Sequence, residues 1–255
     1  MKLISNDTDL RNMDCHVHSF FSRDSGSTPD ELVAAARKKG LRGFIVTDHI
    51  DEGHWPQNID FDEYFKVWNR TRAQNPDLTI YIGLEVGYEA RFVEQTRRLI
   101  EPLPFEYIIN SVHYMFHTDP DNRIDHYALG RIKTYTEYIE TVINSMDVPY
   151  EFNTIGHFGF SERLAPPPLE DWVMDYDTFR PLMDTLIEKA IKRGVRFEEN
   201  TNGGGIMRIP RGDFLRAYKN KGGVRPVISS DAHEAAAVGR YFDRAEAFLD
   251  EIFGR

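Results

Sequence analysis

The stretch Asp14-Cys15-His16-Val17-His18 carries the first residues that could do chemistry. In an extended segment residues i and i+2 point to the same side, so His16 and His18 present two imidazoles to one place. Two neutral imidazoles side by side suit a divalent metal ion. A His pair satisfied by backbone hydrogen bonds at a strand end would read the same way. The positions of the other histidines and acids decide between these readings. Asp48 and His49, Glu85, His113, His157, and Asp231 and His233 each follow a short apolar run, whereas purely structural histidines would scatter over helices, strands and loops.

The elements that must carry these residues alternate along the chain. After the first strand, a polar loop from 20 to 27 holds Asp24. A helix then begins with Thr28 as N-cap, Pro29 in its first turn and Glu31 completing a capping box, and stops near Gly40. Residues 43–49 read as a buried strand, 62–74 as a helix, 79–87 as a strand delivering Glu85, 92–100 as a short helix, and 107–113 as a strand ending in His113. Residues 115–129 form a polar loop with His117 and His126, a candidate lid. A core-facing helix over 131–145 leads to a short strand over 153–157 that ends in His157. Pro166-Pro167-Pro168 cannot pair in a ladder and makes a stiff loop. A helix over 176–192 is closed by Gly194, and 195–200 is the sixth strand. Gly203-Gly204-Gly205 either lets the backbone approach an anion or is a plain turn. A helix over 211–220, a strand over 224–230 and a last helix over 244–253 complete the chain.

Seven strands alternating with helices predict a parallel α/β fold, and in a parallel barrel all strand C-termini open on one rim. Six of the seven strands end in His, Asp or Glu, so these side chains would converge there as a metal site.

Composition bounds the function. A chain of 255 residues, 41% of them hydrophobic, can bury one large core, and no linker asks for a second domain, so residues 1–255 are expected to form one unit. The N-terminus turns polar too early for a secretory segment, and no apolar run reaches the length of a membrane span. One cysteine, Cys15, cannot form an internal disulfide, which fits a cytoplasmic protein. A net charge of −10 argues against a nucleic-acid backbone as the main partner.

The landmarks Asp14-Cys15-His16-Val17-His18 with Asp24, Thr47-Asp48-His49, Gly83-Leu84-Glu85, Ser111-Val112-His113, Gly156-His157-Phe158, Glu199-Asn200-Thr201-Asn202-Gly203 and Ser230-Asp231-Ala232-His233 come in a specific order. In this order the chain resembles the PHP (polymerase and histidinol phosphatase) family over nearly its whole length, and is most similar to the stand-alone histidinol-phosphate phosphatases. The resemblance implies a distorted (β/α)7 barrel of the PHP type holding three divalent ions, variously Zn, Mn or Fe. Carried over by position, His16, His18, Glu85 and Asp231 would hold the first ion. Asp24, His49 and His233 would hold the second, and Glu85, His113 and His157 the third, with Glu85 as bridge. A mixed His and carboxylate shell suits such borderline metals. Asp48 would orient a ligand imidazole rather than bind metal itself.

The implied reaction is hydrolysis of a small phosphomonoester, L-histidinol phosphate in histidine biosynthesis, with a metal-bridging hydroxide as nucleophile oriented by Asp231. Phosphate recognition in the family uses arginines at the barrel mouth, and this chain offers Arg163 and Arg208. Loop histidines His54, His117 and His126 are candidates for the proton donor to the leaving group. Competing readings are a PHP-type esterase acting on another small phosphorylated metabolite or nucleotide, and a metal-binding regulator without turnover. An amidohydrolase-type barrel also begins with HxH, but that class usually supplies a lysine where this chain has Ser111-Val112-His113.

Overall fold

Thr28 caps the first helix as its sequence dictates: its hydroxyl accepts from the backbone of Glu31, and the Glu31 carboxylate reaches back to the Thr28 backbone, giving α1 (Pro29–Lys38). The computed structural model describes residues 2–53, 59–113, 127–203 and 209–254. The strands are β1 (Met13–Val17), β2 (Gly43–Val46), β3 (His49–Ile50), β4 (Thr79–Gly87), β5 (Tyr107–Ser111), β6 (Thr154–Ile155), β7 (Arg196–Asn200) and β8 (Val227–Ser229). The remaining α-helices are α2 (Phe61–Gln74), α3 (Val93–Ile100), α4 (Arg131–Ser145), α5 (Phe160–Arg163), α6 (Arg180–Arg193), α7 (Gly212–Asn220) and α8 (Phe242–Phe253).

All strand pairings are parallel, in the order β1-β2-β4-β5-β6-β7-β8, with β3 beside β4. A parallel bridge between Val17 and Ala232, with the amide of His18 donating to Ala232 at 2.9 Å, brings the last strand back to the first. The result is the barrel expected from the alternation of strands and helices. The expected strand over 43–49 is broken at Thr47-Asp48 into β2 and β3, which occupy one position of the ring because both pair with β4. The stretch after His157, read as loop, contains the single helical turn α5, entered through Gly159 at φ +111°.

Two cores flank the sheet. Leu10, Met13, Cys15, Ile45, Tyr107, Ile109 and Val227 fill the barrel interior. A larger cluster packs the helices on the outside, with Tyr64 and Trp68 of α2 fully buried. Each such side chain contributes roughly 1.5–3 kcal/mol. Between Asp14 and Val17 the β1–β2 register shifts by one extra residue on β1. Such a bulge re-aims side chains. Val17 goes to the outer core, while His16 and His18 on either side of it face Glu85. Among the described residues no helix is long and apolar enough to cross a membrane.

Candidate metal centre

Parallel strands end together, and every strand-end residue singled out in the sequence as a ligand arrives at one place. Around Glu85 Oε2, Nε2 of His16 lies at 3.2 Å and Nε2 of His18 at 3.6 Å; the same two nitrogens are 3.8 and 3.4 Å from Asp231 Oδ1. Around Glu85 Oε1, Nε2 of His157 lies at 2.9 Å and Nε2 of His113 at 3.2 Å, with 3.2 Å between the two imidazole nitrogens. A third group joins Nε2 of His49 to Nε2 of His233 at 3.3 Å, with Asp24 Oδ2 at 3.7 and 3.3 Å from them. The groups merge at His18, whose ring stacks at 4.3 and 4.1 Å on His49 and His233, and at His49, whose Nδ1 is 2.9 Å from Glu85 Oε2. Asp24 comes from the polar loop after β1 and is the exposed member.

These separations have the size of coordination edges. Donors 2.0–2.2 Å from one tetrahedral ion stand about 3.3–3.6 Å apart. Nε2 of His16, Nε2 of His18 and Oε2 of Glu85 are shut off from solvent and have no hydrogen-bond partner among the described residues. Leaving a buried polar atom unpaired costs about 1–3 kcal/mol. Three such atoms facing one another are explained by a cation between them. The residues therefore fit divalent metal, and His16, His18 and Glu85 on one side and His18, His49 and His233 on another each offer ligand atoms within 4.8 Å of one another.

The electrostatics agree. Burial opposes charge on His16, yet Glu85, Glu198 and Asp231 hold its pKa well above the usual histidine range. His18 goes well below it, through burial and the nearby His49 and His233 imidazoles. Burial works against the Glu85 and Asp231 carboxylates, but the imidazoles around them, His16 foremost, keep both well below the carboxylate range. Asp24 is brought to about 2 by His233 and His49 against its partial burial.

Supporting residues fix the ligands. Ser111 Oγ donates to Glu85 Oε1 at 2.6 Å. Asp231 adopts φ +50°, a left-handed backbone that asparagine and aspartate tolerate best, and its Oδ2 accepts from Asn202 Nδ2 at 2.9 Å. Asp48 behaves differently from its expected role. Its oxygens take the backbone and hydroxyls of Ser19 and Ser22 at 2.6–3.0 Å, and it reaches an imidazole only through Ser22 Oγ, 3.1 Å from Nδ1 of His18. A carboxylate missed in the sequence, Asp51, does touch an imidazole directly: its Oδ1 is 2.7 Å from Nδ1 of His113. An ionised carboxylate only accepts, so Nδ1 carries the proton and Nε2 is left with its lone pair toward Glu85. The signal was present, since Asp51 follows His49 by two residues and shares its side of an extended strand.

Arg163 lies at the same mouth. Its guanidinium stacks over Phe160, 4.6 Å from the ring centre, and its Nη1 donates to the backbone oxygen of Asn202 at 3.3 Å, one residue from Asp231 in the hydrogen-bond network. Arg208, His54, His117 and His126 lie outside the described residues, as does most of the expected lid.

The PHP domain model matches residues 14–202, well over half of the chain. The chain belongs to the PHP domain family. Among curated PHP-type relatives, a protein named histidinol-phosphatase from Lactococcus lactis is 27% identical over 237 residues, covering 89% of this chain and 86% of that protein. One named probable histidinol-phosphatase from Clostridium acetobutylicum is 24% identical over 237 residues, covering 91% and 90%. Among solved structures, histidinol phosphate phosphatase from Lactococcus lactis, in complex with zinc, L-histidinol and phosphate, superposes with a TM-score of 0.84 at 23% identity, covering 96% of this chain and 94% of that one. The PHP barrel is thus shared across the full length of the match.

Proposed function

We propose that this PHP protein is a metal-dependent phosphomonoesterase that releases phosphate from L-histidinol phosphate, a step of histidine biosynthesis. The observation that carries the reading is the Glu85 carboxylate, whose two oxygens serve two different sets of imidazoles. Three divalent ions would be held by His16, His18, Glu85 and Asp231, by Asp24, His49 and His233, and by Glu85, His113 and His157. Such ions, when bound, lower the pKa of water and offset phosphate charge. Zinc is the favoured metal, because the Lactococcus lactis structure was solved with it, and manganese and iron suit the same donors.

The protein's own groups do the rest. Asp231, held by Asn202, is fixed where it can orient the attacking oxygen. Arg163, placed by Phe160 and Asn202, offers a planar fork to the phosphate oxygens, and Arg208 is the second arginine assigned to this task. The shape and names of the relatives support histidinol phosphate as substrate, since the chain covers nearly their whole length. The reading places the reaction in the cytoplasm, in keeping with the single free, buried Cys15.

The test is a screen for phosphate release with zinc or manganese supplied, comparing histidinol phosphate with sugar phosphates, nucleotides and short DNA. Preferential release from histidinol phosphate is expected. Faster release from another monoester would transfer the assignment to that substrate, and none from any of them would leave a metal-binding protein without turnover.

A further inference from the structure

Side chains of β7 alternate between two environments. Phe197 turns outward into an aromatic cluster with Phe158 and Phe214, at ring distances of 5.9 and 5.0 Å, so Glu198 and Asn200 turn into the barrel. Glu198 is fully buried directly beneath the metal centre, yet it belongs to none of the three ligand sets. Its Oε2 takes the hydroxyl of Ser229 at 2.8 Å and faces Nδ1 of His16 at 3.0 Å. Its Oε1 takes the side-chain amide of Asn200 at 3.0 Å and the backbone N–H of His157 at 2.5 Å. A carboxylate offers about four acceptor positions and no hydrogen of its own. All four are in use, so His16 must bring its hydrogen on Nδ1. In the neutral ring that a metal ligand requires, that leaves the lone pair on Nε2, the nitrogen that faces Glu85 and Asp231.

We propose that Glu198 is a positioning residue that fixes the tautomer and ring plane of His16 and, through the backbone of His157, the end of β6. One carboxylate would then align ligands of two different ions, His16 of the first set and His157 of the third. The proposal rests on the metal-centre reading above and adds a group that touches neither substrate nor ion. The same inventory predicts what glutamine would do. Apart from the Ser229 hydroxyl, which can also accept, the neighbours of Glu198 are donors, so a glutamine amide N–H is set against a hydrogen in either orientation: against that on Nδ1 of His16, where relief requires a tautomer switch that turns Nε2–H toward the ion, or against the His157 N–H and the Asn200 amide.

The experiment uses the full-length protein stripped of metal and titrated with zinc against a chromogenic chelator. Glu198→Gln should keep the near-ultraviolet circular dichroism of the metal-free wild type and lose zinc affinity by about 10–100-fold. Unchanged affinity in a folded variant would overturn the proposal. If the variant does not fold, the wild type decides: ¹⁵N-histidine NMR of the zinc-loaded protein, with His16 identified by its loss in His16→Asn, should show a protonated Nδ1 and a metal-bound Nε2. The opposite tautomer would overturn the proposal. Wild-type protein that binds zinc without hydrolysing histidinol phosphate would sink the substrate reading and leave the role of Glu198 standing, whereas wild type that binds no zinc would sink both.

Discussion

A methyl group built on Gly87 would fall 1.8 Å from Oδ1 of Asp51, so the end of β4 must be bare for Asp51 to reach His113. Two substitutions should therefore act alike. Asp51→Ala withdraws the acceptor that orients His113, and Gly87→Ala displaces the carboxylate that supplies it. Each should weaken metal retention by about tenfold or more, measured by chelator competition. Full retention in both would show that His113 is oriented by other groups.

Replacing Glu85 removes the one carboxylate shared by two ligand sets and leaves His16, His49, His113 and His157 facing one another without it. Glu85→Ala should lose bound metal, as measured by elemental analysis, and lose turnover with it. A variant that keeps its full metal content would refute the bridging role.

Arg163→Ala should act mainly on substrate binding. A charge-assisted hydrogen bond to phosphate contributes roughly 1.5–3 kcal/mol, which corresponds to a fall in kcat/KM of about 10–150-fold. Most of it should appear in KM, measured by steady-state phosphate release. Unaltered kinetics would remove Arg163 from the site.

Metal removal should cost stability as well as activity. An ion that binds only the folded state stabilises it by mass action, about 2.7 kcal/mol at a hundredfold excess over Kd. Chelated protein should unfold at a lower temperature in calorimetry and recover on adding zinc. An unmoved Tm would separate the ions from the fold.

Glu162 gives a pH signature away from the metal centre. It is almost fully buried in α5, accepts from the backbone of Met174, and faces Arg211, Asp213, Asp175 and Tyr135. Burial is the main force that raises its pKa from 4.5 to about 7. The folded protein therefore holds this proton more tightly than the unfolded chain. The stabilisation is complete below about pH 4.5 and is lost as the pH rises through 7, up to roughly 3 kcal/mol. Relative to Glu162→Gln, the wild type should lose stability between about pH 5 and 8 in urea unfolding. Parallel stability profiles would contradict the shift.

Most of the site was legible in the sequence because parallel strands translate chain position into place. Each of Glu85, His113, His157, Asp231 and His233 follows a short apolar run, His16 and His18 stand two apart on the first strand, and all of these strands end on one rim. What could not be read depended on contacts between distant segments. The break at Thr47-Asp48 arises where Ser19 and Ser22 claim the Asp48 carboxylate. Asp51 finds His113 only because Gly87 leaves room. Arg163 is aimed by one helical turn that a glycine with positive φ begins, which no periodicity announces.

The bridge between Val17 and Ala232 has a further consequence. It joins the first and last of the described strands, so the first and second ligand sets each combine residues near β1–β3 with residues that follow β8. A product that stops before β8 could bring neither Asp231 to His18 nor His233 to His49, and so could not assemble either set. Such a product would keep only the Glu85, His113 and His157 group.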